Sequence, residues 1–199
     1  MAQAMDVIVY GSQIFGRLVR ELLPATGHRF IGFVDDEHTG EDVLGDWEAA
    51  LERFSPGDCG LVVAVGYRNL DARLRICERI RQAGFDLPSL IHPSCEIAPT
   101  ARIGSGCIIQ ASTIVDTRAE IGDFSVLFPG VNVSHDSVVG SNVYVSPGAI
   151  ICGVSHVGSG SFVGAGSVIA DHVSLPPKTF VKAGSVFSTK SSPRPLRNQ

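Results

Sequence analysis

The segment Val133-Ser134-His135-Asp136-Ser137 sets an imidazole beside a carboxylate on the next residue. Histidine is the side chain whose ordinary titration falls between pH 5 and 8, so it can take a proton from an attacking amine or hydroxyl near neutrality. A neighbouring carboxylate favours the imidazolium and so strengthens the base. This makes His135 a candidate general base and Asp136 the group that tunes it, although a histidine standing alone at such a place is ordinarily a surface residue. A second set of residues suits anion binding. The turn Tyr10-Gly11-Ser12-Gln13-Ile14-Phe15-Gly16 joins a strand pattern to a helix pattern, where backbone amides and a helix N-terminus attract phosphate. Its spacing is not the full G-x-G-x-x-G, so by itself it also fits a plain tight turn. It gains meaning from Asp35 and Asp36, which end a second strand pattern, and from Gly66 and Asn69, which follow a third.

Metal and redox chemistry have less support. The 5 cysteines include no C-x-x-C pair, and Cys59, Cys77, Cys95, Cys107 and Cys152 each fall on or beside apolar patterns, as small buried thiols do. His135, His156 and His172 are spaced so that they fall in different columns of any 18-residue repeat, and no H-x4-H pair is present. No metal site is expected.

The element that must hold His135 is a repeat. From Ile91 an aliphatic residue recurs every 6 positions through Ile97, Ile103 and Ile109 to Val181, with Phe187 a looser last member. Four residues after each comes a small or β-branched residue, from Cys95, Ala101 and Cys107 to Ser185. A period of 6 is neither helical nor that of a lone strand. It suits a triangular coil in which each hexad supplies one short strand and one corner, with coils stacked about 4.8 Å apart. Residues 91–186 make just over five such coils. The aliphatic residue points into the prism and the small one fits the corner.

Upstream, DVIVYG, FIGFVDD and GLVVAVG read as strands. Phe15, Leu18, Val19, Leu22 and Leu23 share one face of a helix stopped by Pro24, and a short helix runs near Asp46 to Arg53. Asn69 caps a helix with Leu70, Leu74, Cys77 and Ile80 on one face, ending near Gly84. Alternating strands and helices imply a small parallel sheet, at whose carboxyl edge both glycine turns and the two aspartates converge. The expected organisation is a Rossmann-like α/β domain over residues 1–88, a parallel β-helix over 89–189 and a flexible tail over 190–199. A net charge of −4 leaves no basic footprint for nucleic acid, and no apolar stretch approaches the length of a membrane span. The N-terminus enters a strand rather than a signal peptide, so a cytoplasmic protein is expected.

Taken together, YG in the first turn, GFVDD, VAVG followed by Asn69, LPSLIHPS and the hexads resemble the hexapeptide-repeat sugar O- and N-acetyltransferases over nearly the full length. That family includes sialic-acid O-acetyltransferases and bacillosamine- and perosamine-type sugar N-acetyltransferases. The resemblance implies a left-handed helix, a homotrimer, acetyl-CoA as co-substrate and a nucleotide-linked sugar as acceptor. It implies that His135 is the base and Asp136 its acid partner. It places Gly11, Ser12, Gln13, Ile14, Phe15, Asp35, Asp36 and Gly66 on the acceptor's nucleotide. It also places Tyr144, Gly164, Ala165, Gly166, Ala183 and Gly184 along the donor, in a groove between adjacent helices. Gln13, Ile14 and Phe15 stand where the family usually has a second glycine and a histidine, and Tyr144 stands where a histidine is common. The expected reaction is N-acetylation of a nucleotide-linked amino sugar, with sugar O-acetylation and a catalytically dead nucleotide-binding β-helix scaffold as the alternatives.

Overall fold

The computed structural model describes residues 4–188, and the sequence-predicted tail at 190–199 lies outside them. Three parallel strands, β1 (Asp6–Tyr10), β2 (Arg29–Val34) and β3 (Gly60–Val63), pair in the order β2-β1-β3. Val7, Ile8 and Val9 are buried on both sides of the sheet, as the unbroken apolar run of a central parallel strand requires. Three helices connect and flank them: α1 (Ile14–Leu22), α2 (Trp47–Arg53) and α3 (Leu70–Gln82). Asp46 caps α2 by accepting from the Ala49 amide at 2.9 Å, and Asn69 caps α3 by accepting from Ala72 at 3.0 Å. Gly84, at φ +85°, ends α3 where the sequence calls for a stop. On α1 the buried face is narrower than its apolar spacing predicts. Gly16 and Val19 meet the sheet, whereas Leu18 is 51% exposed.

From Leu90 the chain winds into a parallel β-helix of about five turns with three flat faces. The first face stacks Leu90–Ile91, Ile108–Ile109, Val126–Leu127, Tyr144–Val145, Phe162–Val163 and Phe180–Val181. The second stacks Glu96–Ile97, Ile114–Val115, Asn132–Val133, Ile150–Ile151, Val168–Ile169 and Val186–Phe187. The third stacks Arg102–Ile103, Glu120–Ile121, Val138–Val139, His156–Val157 and Ser174–Leu175. The second residue of each two-residue strand is the aliphatic hexad residue, and Ile109 through Val181 form one continuous interior cluster. The small hexad residue also points inward, one position past the turn. Buried serines are tolerated there because each hydroxyl finds a carbonyl in the next coil: Ser125 donates to Gly140 O at 2.8 Å, Ser137 to Cys152 O at 2.7 Å and Ser155 to Ala170 O at 2.8 Å. The left-handed backbone sits one residue earlier, at Asp136, Asn142 and Val154 among others.

The α/β unit and the prism share packing. The outward side chains Leu90, Ile108, Val126 and Tyr144 of the first face join Val7, Val9 and Phe33 of the sheet in one buried cluster. Among the described residues no helix is long and apolar enough to cross a membrane.

Candidate active site

Glycine shapes the first turn by necessity. Gly11 has φ +105°, and a Cβ on it would lie 3.0 Å from Ala64 O. A Cβ on Gly16 would lie 1.9 Å from Gly11 O, so the first turn of α1 can fold back on the glycine loop only without a side chain. Beside this turn opens a cavity of about 330 Å³, lined among others by Gly11, Gln13, Asp35, Asp36, Gly66 and Asn69. Five of the eight residues assigned to the acceptor therefore meet in one place. Three do not. Ser12 is buried under the loop, Ile14 is 78% exposed at the start of α1, and Phe15 packs on Phe128 and Tyr144 at ring distances of 5.7 and 6.0 Å. The helical turn after Gln13 carries Ile14 and Phe15 around the axis, away from the cavity.

The two aspartates differ. Asp35 accepts from the Ser12 amide at 2.8 Å and hydroxyl at 2.6 Å, and from the Glu37 and His38 amides at 3.0 Å each. Burial alone would raise its carboxyl, but these donors outweigh it and hold the group far below the usual carboxylate range. Its oxygens are committed to the loop, so Asp35 builds the pocket wall. Asp36 accepts from Tyr10 Oη at 2.5 Å, the Trp47 amide at 3.0 Å and Arg79 at 3.1 Å. Its carboxyl is also lowered, against the opposing effect of burial, and it stays open to solvent on one side.

His135 sits at the corner between the second and third faces, its side chain 54% exposed. Nδ1 lies 2.9 Å from Asp136 Oδ2. Asp136 is gripped in turn by Arg118 from the coil before, with Nε at 2.6 Å and Nη2 at 2.7 Å. Arg118 first, and His135 second, push the Asp136 carboxyl down to about 2. An ionised carboxylate can only accept, so a neutral imidazole facing it carries its hydrogen on Nδ1 and leaves the Nε2 lone pair free to take a proton. Nε2 lies over Gly153 in the next coil, where a Cβ would come within 2.7 Å of the ring. Sequence reasoning missed Arg118 and Gly153, although each stands 18 residues from a member of the pair, the length of one coil. Asp116 is a third addition, its carboxyl lowered first by the Thr117 amide and further by His135.

A family profile described as GMPPB C-terminal domain matches residues 85–197, more than half of the chain, and one described as PglD N-terminal domain matches residues 6–80. The UDP-N-acetylbacillosamine N-acetyltransferase of Bacillus subtilis is 30% identical over 114 residues, 53% of this chain and 51% of that protein. The chain thus matches about half the length of that relative. The acetyltransferase domain of PglB from Neisseria gonorrhoeae superposes with a TM-score of 0.86 at 29% identity, over 92% of this chain and 91% of that one. PerB from Caulobacter crescentus, solved with CoA and GDP-perosamine, superposes at 0.84 with 28% identity, over 92% and 88%. The chain belongs to the hexapeptide-repeat sugar acetyltransferases.

Along the left-handed β-helix, the residues assigned to the donor fall on a different edge from the base. Gly164, Ala165 and Gly166 turn the corner between the first and second faces, and Ala183 and Gly184 turn it one coil later. Gly164 is dictated by stacking, because a Cβ would lie 2.4 Å from the Ala183 amide. Gly166 and Gly184 are left-handed turn residues with open space around them. Tyr144 does not stand beside His135 in the chain. It lies on the first face, 7% exposed, among the rings of Phe15, Tyr67, Phe128 and Phe162, and burial raises its hydroxyl well above the usual range. The α/β unit docks on that face, which is why a residue read from family position as facing the donor is instead packed between the two units. Among the described residues no three His, Cys, Asp or Glu side chains are grouped to hold a metal ion.

Proposed function

We propose that the protein transfers the acetyl group of acetyl-CoA to the amino group of a nucleotide-linked amino sugar. The observation that carries this reading is His135, with Nδ1 held by Asp136 and Nε2 left free over Gly153, in the same chain as a cavity built from the glycine turn, Asp36 and Gly66. As the amine attacks the thioester carbonyl, Nε2 takes its proton. The new C–N bond forms, the C–S bond breaks, and the departing thiolate recovers the proton from the imidazolium. Support comes from relatives named as sugar N-acetyltransferases and from solved structures holding acetyl coenzyme A or both CoA and GDP-perosamine. In this reading residues 1–88 serve the acceptor and 89–189 the donor, the latter passing Gly164, Ala165, Gly166, Ala183 and Gly184.

The protein acts as a homotrimer in the cytoplasm. One chain holds its cavity against the first face and its base at the corner of the second and third, so a neighbouring copy must bring base and acceptor together. Ile114 and Ile150 lie exposed along the second face, Val168 is half-buried there and Val186 is exposed, giving an apolar strip for such a contact. The test is acetyl transfer from acetyl-CoA to GDP-perosamine and to UDP-N-acetylbacillosamine, with His135→Ala as control. Thiol release that depends on acceptor and on His135 supports the reading, and equal release by the variant overturns it.

A further inference from the structure

Helix α3 runs along the edge between the third and first faces. Near its end Arg81 pairs with Asp123 at 2.7 Å, and at its start Asp71 pairs with Lys178 at 2.9 Å. The helix rises about 15 Å between these two residues, and the three coils between their partners stack to about 14 Å, so strut and edge are matched in length. Between the two surface pairs lies Arg73, 1% exposed. Its Nη1 donates to the carbonyl of Phe124 and, at 2.9 Å, to Asn142 Oδ1, while Nη2 reaches Val63 O at 3.5 Å. Asn142 answers by donating from Nδ2 to Leu70 O at 2.8 Å.

Among the described residues no carboxylate pairs with this cation. Among those residues its acceptors are all neutral and its Nε has no partner, and burial, the largest effect, lowers its pKa. For packing alone, an apolar side chain of the same volume would serve as well or better. What the guanidinium does that an apolar chain cannot is bind three separate pieces at once. Val63 ends β3 just before Ala64, Val65 and Gly66, which line the acceptor cavity, as do Ala72 and Ile76 on α3. Phe124 and Asn142 are left-handed corner residues of successive coils. Only the strand Val138–Val139 separates the Asn142 corner from that of His135.

We infer that Arg73 is a positioning residue: with Asn142 it fixes the acceptor cavity to the coil that carries His135, and so sets the register of amine against base and thioester in the assembled enzyme. This role rests on the acceptor reading above. Two substitutions test it, Arg73→Met, which keeps the bulk, and Asn142→Gly, which keeps the left-handed turn, with Arg73→Lys as a partial rescue. Spin labels attached through ketone side chains introduced at the exposed Glu48 and Ser174 leave the native thiols untouched. In the full-length wild type they should give a narrow distance distribution that broadens in both variants and narrows again in Arg73→Lys. Affinities for acetyl-CoA and for UDP or GDP should stay within about twofold, while kcat with the acceptor turned over falls about 10- to 100-fold, the penalty of misplacement rather than of lost binding. Unchanged distances, or unchanged kcat per folded molecule with only a lower Tm, would overturn the inference. Failure of the wild type to bind either nucleotide would overturn the acceptor reading instead, and the distances would still decide whether Arg73 and Asn142 hold the two units together.

Discussion

His135 contributes little to the packing of the prism, since its ring leaves the corner and lies over Gly153. His135→Ala should therefore lower kcat by about 10²- to 10⁴-fold while acetyl-CoA affinity and Tm stay near wild type. Asp136→Asn should cost less, because the amide oxygen can still accept from Nδ1 although the carboxylate gripped by Arg118 is lost. Steady-state kinetics read both, and a kcat for Asp136→Asn equal to wild type would separate Asp136 from the base. Asp35 offers a test of a different kind. Its folded carboxyl is lowered, so its contribution to stability is full above the ordinary carboxylate value of about 4 and is lost as pH falls below it. Asp35→Asn sets amide hydrogens against the amide donors of Glu37 and His38. Loss of one such charge-assisted contact is about 2 kcal/mol, so Tm at pH 7 should fall by about 4–8 °C and depend less on pH between 5 and 2. The adjacent His-Asp pair was legible because it is local in sequence. Arg118 and Gly153 were not, because they meet it only after one coil, and the donors that occupy Asp35 were not, because sequence shows a carboxylate at a strand end but not what its oxygens bind.

At the scale of the element, the hexads were legible almost in full because every coil repeats one demand, an aliphatic residue inward and a short residue after the turn. The residue held in left-handed backbone was not singled out, since eight of these corners carry side chains as varied as Ser112, Arg118, Phe124 and Lys178. Val154 is the most costly of them. It holds φ +58° with a β-branched side chain that is 46% exposed, so it suffers the strain without repaying it in burial. Val154→Gly should raise stability by about 1 kcal/mol, or Tm by about 2–4 °C, as measured by thermal unfolding. A fall in Tm would mean that the corner is held by the valine methyls. In the α/β unit the strands and capped helices matched their sequence signals, whereas the face of α1 did not. The contact of Gly16 with the Gly11 carbonyl turns α1 so that Leu18 faces solvent, a tertiary constraint that no periodicity contains.

The whole molecule poses the question that one chain leaves open, because the cavity lies beside the first face and the base at the far corner of the second. The proposed trimer, in which each copy would lend its His135 to the cavity of the next, can be separated by experiment from a site contained within one chain. Two variants are needed, each dead in one half only. His135→Ala removes the base. Gly66→Trp blocks the cavity, because Gly66 lines it, has ordinary extended backbone and has nothing within 4 Å of its missing Cβ, so the indole can enter without straining the fold. Each variant alone should be inactive while binding acetyl-CoA normally. Co-expressed in equal amounts, they assemble at random, and a shared site is intact wherever a His135→Ala copy presents its cavity to a Gly66→Trp copy in the correct order. That holds at about one interface in four, so the mixture should recover about a quarter of wild-type kcat per site. Light scattering on the wild type should give three times the mass of one chain at micromolar concentration. A monomeric mass, or a mixture as inactive as its parents, would return base and cavity to one chain and require the α/β unit to leave the first face during turnover.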